Sequence, residues 1–194
     1  MLDAAVAVIA EKGPDACSIE DFVAAAGVSR GTFYNYYPTT EDLLRAVQIK
    51  VGGELSAVLD KRLPLSLPPS NRLATRMHSH MLSVTRDPVW GWVMMRLDGS
   101  RLARVPVIQT DLDRIYQDGL SKGEFRELDP SAVRTLVFGA SRMVQRDILM
   151  GLTAPAHAEQ VVALVLTALG VTYEEALKTS AEAAALALEI HDAA

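Results

Sequence analysis

A single cysteine, Cys17, stands in a chain of 194 residues. No internal disulfide can form, which suits a reducing compartment. The four histidines, His78, His80, His157 and His191, fall in no metal-ligand spacing, and Cys17 has no second thiol to assist it. No G-x-S-x-G, P-loop or dinucleotide fingerprint occurs, and no acid and base are paired for catalysis. These absences leave no catalytic residue, no metal and no cofactor to propose. The longest uncharged apolar run, residues 160–173, is too short to span a bilayer. The opening MLDAAVAVIAEKG lacks a basic flank, and Asp3 breaks its short apolar run, so it is not a signal peptide. A soluble, cytoplasmic protein with no membrane partner is the expectation. Positive charge is scarce as well, with 19 Lys and Arg against 24 Asp and Glu. In residues 1–50, Lys12, Arg30, Arg45 and Lys50 face Asp3, Glu11, Asp15, Glu20, Asp21, Glu41 and Asp42. A domain that grips a polyanion through counterion release is expected to show a basic face.

What the chain does hold is helical periodicity from end to end, with no strand-like alternation and no repeat. Nearly half the residues are hydrophobic (49%), enough for a sizeable core. Leu2, Ala5, Val6 and Ile9 form one helical stripe that stops at Gly13-Pro14. Ser18 then opens a helix of about two turns, with Asp21 placed for a capping box and Ile19, Phe22, Val23 and Ala26 along one side. Gly27 follows, where a left-handed C-cap is easy only for glycine. Ser29 caps a second short helix, about residues 30–36, rich in glycine, hydroxyls and aromatics rather than charge. Helix, glycine turn, short helix is the geometry that lays a second helix into a DNA major groove. Beyond the Tyr37-Pro38 elbow, Thr39 caps a long helix with Asp42 in its third position, and an apolar stripe runs to about residue 62.

The run AAGVSRGTFYNYYPTTEDLL resembles the helix-turn-helix signature of the tetracycline-repressor (TetR) family of bacterial transcription regulators. The resemblance covers about residues 2–47. It rests on the AGVS turn, the G-T-x-Y of the second helix, an aromatic pair, and a hydroxyl before an acidic, leucine-rich helix start. It implies an all-α chain with a three-helix, helix-turn-helix DNA-binding domain over residues 1–45. A C-terminal helical domain for ligand binding and dimerisation would follow over 46–194. The resemblance carries Thr32, Tyr34 and Tyr36 onto positions that touch DNA, and Thr40 onto one where lysine usually contacts phosphate. Thr40, and Tyr36 where histidine is frequent, depart from the family pattern. Physically, phenol and threonine hydroxyls, and the N–H groups at the helix start near Thr39 and Thr40, can hold phosphate oxygens without formal charge. Ser29 belongs to this surface as the cap, and Arg30 is the one base-reading arginine candidate there. Phe33 and Tyr37 are expected to pack inside.

The proline-dense LPLSLPPSN of residues 63–71 marks a loop, placed here at the domain junction. Some nine or ten helices are expected in all. Met77, His80 and Met81 share one face of the helix that follows, and VWGWVMMRL adds Trp90, Met94 and Arg96. Methionine with tryptophan suits an adaptable cavity, and the family resemblance implies an effector site in this part of the chain. With Phe138, these residues are the expected lining for a mostly apolar or aromatic molecule, whose one polar group meets His80 or Arg96. Val137, Val144 and Ile148 line one face of helix 131–149, and helix 156–169 carries Val161, Val165 and Leu169 among apolar residues nearly all round. A helix apolar on every side must be covered on every side. A second copy of the chain is therefore expected over these six residues, in a four-helix isologous interface, with a central core helix of a single subunit as the alternative.

Together these features point to a homodimeric, ligand-responsive repressor that binds a palindromic operator in double-stranded DNA and is released by a small effector. The acidic N-terminal region keeps a second reading open, in which a helix-turn-helix-derived dimer binds a protein partner rather than DNA.

Overall fold

The computed structural model describes residues 1–13, 16–99 and 106–193, the side chains at 51, 96, 98, 99 and 106–110 excepted. Ten helices and no strand occur among the described residues. The first four are α1 (Leu2–Lys12), α2 (Ile19–Ala26), α3 (Arg30–Tyr36) and α4 (Thr40–Arg62). Then come α5 (Pro69–Arg86), α6 (Pro88–Gly99), α7 (Pro106–Ser121), α8 (Pro130–Leu149), α9 (His157–Leu169) and α10 (Tyr173–Asp192).

Local chemistry sets the helix ends. The Ser18 N–H donates to Asp21 Oδ2 (2.9 Å) while the Asp21 N–H donates back to Ser18 Oγ (3.3 Å). The same reciprocal box joins Thr39 and Asp42 at 3.2 and 3.1 Å. Asp129 Oδ1 accepts from the Ala132 N–H (2.8 Å), with Pro130 in the first helical position of α8. Each such cap is worth about 1 kcal/mol. Gly27, at φ 65°, ends α2 in the left-handed conformation and turns the chain into α3.

Two cores share the bundle. In the first, Ala5, Ile9, Phe22 and Phe33 from α1–α3 close on Leu43 and Val47 at the start of α4. This head also needs α6, whose Val93, Met94 and Leu97 complete the cluster. The second core joins α5, α7, α8, α9 and α10 in the body. The long α4, about 35 Å from end to end, runs from the head to a small third cluster. There Leu59 and Leu63 meet Ile190, and Arg62 Nη1 donates to the Ile190 carbonyl (3.0 Å). Leu67 packs on this third cluster, so the proline-rich loop sits beside α10 at the far end of α4. Placing that loop at the junction between head and body is corrected by this.

Of the six residues expected beneath a second subunit, four are relocated to the chain's own interior. Val137, Val144, Val165 and Leu169 are buried in the body's own core, and Ile148 and Val161 are half-buried. Periodicity identifies apolar rows but does not say whose atoms cover them, and here the inner rows serve the chain's own packing. What remains open on α8 and α9 is a neighbouring row: Leu136 (38% exposed), Met143 (50%) and Leu164 (58%).

Gly119 shows how tightly the body is closed. A Cβ there would lie 2.0 Å from Cδ2 of Phe125. That ring is buried and stacks on Tyr116, whose hydroxyl is fixed by the Arg126 and Leu128 carbonyls at 3.1 and 3.2 Å. Gly119→Ala is therefore expected to destabilise by about 3 kcal/mol, lowering the melting temperature by roughly 6–12 °C. Gly139→Ala in α8, with nothing within 4 Å, is the matched control and should raise it slightly. Equal effects in thermal melts would contradict this account.

His78 contributes a pH dependence. It is buried, with Nε2 2.9 Å from Ser180 Oγ. The Ser180 hydroxyl donates onward to the Glu159 carbonyl (2.9 Å), so the imidazole supplies the proton in the first bond. Burial pushes its pKa down to about 4, against the opposing pull of Ser180. Between an unfolded value of about 6.5 and this lowered one, the unfolded chain takes a proton that the fold refuses, so stability falls as pH drops through that window. The loss should reach about 3 kcal/mol by pH 4. In urea titrations at pH 7 and pH 4.5, His78→Gln should flatten that fall. An unchanged slope would place the acid sensitivity elsewhere.

Candidate functional site

The helix-turn-helix presents its polar residues outward. Ser29 Oγ accepts from the Thr32 N–H (3.0 Å) and lies 2.9 Å from Thr32 Oγ1, which starts α3 with two hydroxyls at its N-terminus. Thr32 is half-buried; Arg30, Tyr34, Asn35 and Tyr36 are exposed, Tyr36 at 70%. Phe33 is fully buried, with Tyr34 edge-on to it at 5.6 Å and Tyr37 at 6.1 Å, so the inner aromatics hold α3 while the outer ones stand free of the core. Thr39 is exposed and Thr40 half-buried at the start of α4.

Carboxylates already sit on the nearby cations and on Thr39. Arg30 Nη1 is 2.8 Å from Glu20, Lys12 is 2.6 Å from Asp21, Arg45 is 3.6 Å from Asp42, and Lys50 pairs with Asp3. All four cations of residues 1–50 are thus matched within the same stretch. Lys12, helped by the Ser18 N–H and hydroxyl, holds the Asp21 carboxyl down to about 2. Thr39 Oγ1 donates to Asp42 (2.7 Å), so the anion-binding end of α4 carries an internal carboxylate.

Between α4, α5, α6, α7 and α8 lies a cavity of about 260 Å3. Its apolar wall includes Leu73, Met77, Trp90, Met94, Ile115 and Phe138. Its polar wall includes Gln48 and Ser56 from α4, Arg76 and His80 from α5, Asp111 from α7, and Ser141, Arg142 and Gln145 from α8. Five of the seven residues expected in an effector site, Met77, His80, Trp90, Met94 and Phe138, come together here. Met81 instead borders a separate groove of about 250 Å3 against α9 and α10. The Arg96 side chain lies outside the described residues. Val137, expected at an interface, is on this wall.

The polar wall is richer than one histidine. Arg76 Nη2 pairs with Asp60 of α4 and Nη1 with Asp111 of α7 (3.2 Å), while its buried Nε meets no acceptor. Burial pushes the Asp111 carboxyl up; Arg76 draws it down and Asp60 adds to the rise. Burial, with Arg76 nearby, pushes His80 down to about 4, so its imidazole is uncharged at neutral pH. Arg142 Nη2 donates to the Met95 carbonyl (2.8 Å), and Gln145 Nε2 to the His80 carbonyl (3.0 Å). Sequence reasoning missed Arg76, although a signal existed: it stands one turn before His80, a charge inside an apolar face. For Asp111, 35 residues from its partner, the chain carries no such local mark.

Among the described residues no group of His, Cys, Asp or Glu could hold a metal ion, and no helix is long and apolar enough to cross a membrane.

Residues 1–47 match the model for bacterial regulatory proteins of the tetR family. The chain is 28% identical over 148 residues to the fatty acid metabolism regulator protein of Bacillus subtilis (strain 168), covering 72% of this chain and 76% of that one. It is 38% identical over 81 residues to the HTH-type transcriptional repressor LfrR of Mycolicibacterium smegmatis, 42% of each chain. Among solved structures, RolR in complex with ligand resorcinol matches with a TM-score of 0.68 at 26% identity, covering 92% of this chain and 90% of that one. FadR from Bacillus subtilis in complex with stearoyl-CoA matches with a TM-score of 0.69 over 86% and 96%; at 23% identity that likeness concerns the fold alone.

Proposed function

The chain is a transcriptional regulator of the tetR family, and from that premise we propose that it is a dimeric repressor released from operator DNA by a small effector. Residues 1–45 would read the operator, and residues 46–194 would dimerise and hold the effector in the cavity beside α6. The observation that carries this reading is the double duty of α6. Its Val93 and Leu97 belong to the core of the head, while Trp90 and Met94 form part of the cavity wall. α4 is shared in the same way, with Leu43 and Val47 in the head and Gln48 and Ser56 on the cavity. A molecule that fills the cavity therefore pushes on two helices that hold the reading head.

The effector of this chain is a compact one in our reading. RolR was crystallised with resorcinol and FadR with stearoyl-CoA. A volume of about 260 Å3 lies at the low end of the roughly 300–1,000 Å3 common for ligand pockets. That favours a molecule of one or two rings over a long acyl chain. The test is to select operators with the full chain, find ligands by thermal shift, and measure operator affinity with and without them. Ligands that bind tightly and leave operator affinity unmoved would remove the switch.

If two heads enter successive major grooves, the operator is a near-palindrome with half-sites about 34–36 Å apart or a multiple of that. Because the cations of residues 1–50 are already paired, counterion release should be small. The slope of log affinity against log salt is expected near −2 to −4 for the dimer, the value for a few phosphate contacts. Glu20→Gln frees Arg30 and should tighten operator binding by about 3- to 10-fold while steepening that slope. A variant that binds protein partners but no duplex at low salt would instead favour the protein-binding alternative.

A further inference from the structure

The polar end of the cavity contains groups that the protein itself leaves unused. Neither ring nitrogen of His80 is hydrogen-bonded to a described residue, and the same holds for the Ser141 hydroxyl. Asp111 Oδ2 is held by Arg76 at 3.2 Å, but Oδ1 has only the Arg114 guanidinium 3.9 Å away, beyond hydrogen-bonding range. The Asp111 side chain is only 12% exposed. Asp111 Oδ1 and the half-buried His80 imidazole thus stand at the cavity with no partner from the described residues, open to a ligand's polar group. Opposite them stand Trp90, Met94 and Phe138, a wall suited to a flat ring.

Charge narrows the ligand further. The Arg76 guanidinium is shared by Asp60 and Asp111, so a ligand carboxylate placed at Asp111 Oδ1 would be a third anion around that cation and would lie against Asp111. His80, uncharged at neutral pH, does not offset it. A carboxylate there would give up its hydration beside a like charge, which is expensive in a half-closed apolar site. A hydroxyl gives up less and satisfies Asp111 by donating to it.

We propose that the effector is an uncharged aromatic molecule whose hydroxyl donates to Asp111 Oδ1 beside the His80 imidazole, and that acids of the same size are rejected. This rests on the reading of the cavity as the effector site. The assignment makes Asp111 and His80 the residues that set ligand class, with the aromatic wall supplying most of the contact area.

Calorimetry and thermal shift on the full chain with 2-naphthol and 2-naphthoate test it. Naphthol should bind at least 10-fold tighter than naphthoate. Asp111→Asn, which keeps the shape and removes the charge, should narrow that gap at the naphthoate side by at least 10-fold. His80→Phe provides a second variant, should the first fail to fold, and should weaken naphthol while leaving naphthoate as poor as before. Phe138→Trp, filling the apolar end, reports on the location and should weaken whichever probe binds in the cavity. Naphthoate binding as well as naphthol, with both lost in Phe138→Trp, overturns the ligand class and leaves the site standing. Naphthol binding untouched by Phe138→Trp overturns the site as well, and so does the absence of binding by both probes.

Discussion

Leu164→Glu is expected to give a folded monomer that has lost the operator, whereas Val165→Glu, one residue on, is expected not to fold. Leu164 is 58% exposed on α9, and Met143 and Leu136 are exposed on α8, a helix that packs against α9. Large apolar side chains from two adjacent helices make a patch of the kind that marks an interaction surface. A two-fold axis would set each row against its own copy. A carboxylate at position 164 remains hydrated in the monomer and loses that hydration only in the dimer, so it opposes assembly and spares the fold. Val165 is 3% exposed inside the body's core. There the same carboxylate lacks a partner in any state of assembly, at several kcal/mol, a large part of the 5–15 kcal/mol that a domain usually has. Loss of the second half-site should then weaken operator binding by about 10²- to 10⁴-fold, the scale of two-site linkage. Light scattering and circular dichroism at micromolar concentration separate the outcomes. A wild-type monomer, or a Leu164→Glu dimer, would remove this interface.

That contrast also marks how far the chain could be read before folding. Ser18 with Asp21, Thr39 with Asp42 and the glycine at 27 lie within a few residues of what they bond to, so caps and turn were readable directly. The cavity was readable in part for the same reason: Met77 and His80, or Trp90 and Met94, are near neighbours on one helix face, and apolar faces must meet. Arg76 joins Asp60 to Asp111 across 16 and 35 residues, and only the packing of α4, α5 and α7 brings those charges together. The four valines, one leucine and one isoleucine expected beneath a second subunit illustrate the remaining gap. An apolar row one residue further round the helix separates a subunit's interior from its interface, and periodicity does not resolve one from the other. The head raises a similar point, since α6 completes its core from more than forty residues beyond α4's start.

Asp60→Asn is expected to cut the tie between effector and operator while leaving the effector's own site intact. Asp60 is not on the cavity wall, and its carboxylate reaches Arg76 from the far half of α4. Arg76 is on the wall, so a ligand that draws Asp111 toward itself alters the guanidinium that holds α4. Without the Asp60 charge that pull no longer reaches the helix. In the wild type, a ligand preferring the released arrangement by about 1–3 kcal/mol lowers operator affinity by roughly 5- to 150-fold. In Asp60→Asn that factor should fall below about 5, while ligand affinity measured without DNA changes by less than about 3-fold. A ligand shifts an equilibrium only by its differential affinity for the two states, so saturating concentrations should not restore the response. The two legs of the cycle provide an internal check. Operator DNA must weaken ligand binding by the same factor as ligand weakens operator binding, and both effects should shrink together in the variant. The competing route runs through α6, where Trp90 and Met94 meet the ligand and Val93 and Leu97 meet the head. An Asp60→Asn protein that responds to ligand as fully as the wild type would assign the coupling to α6 and leave the Arg76 bridge a purely structural tie.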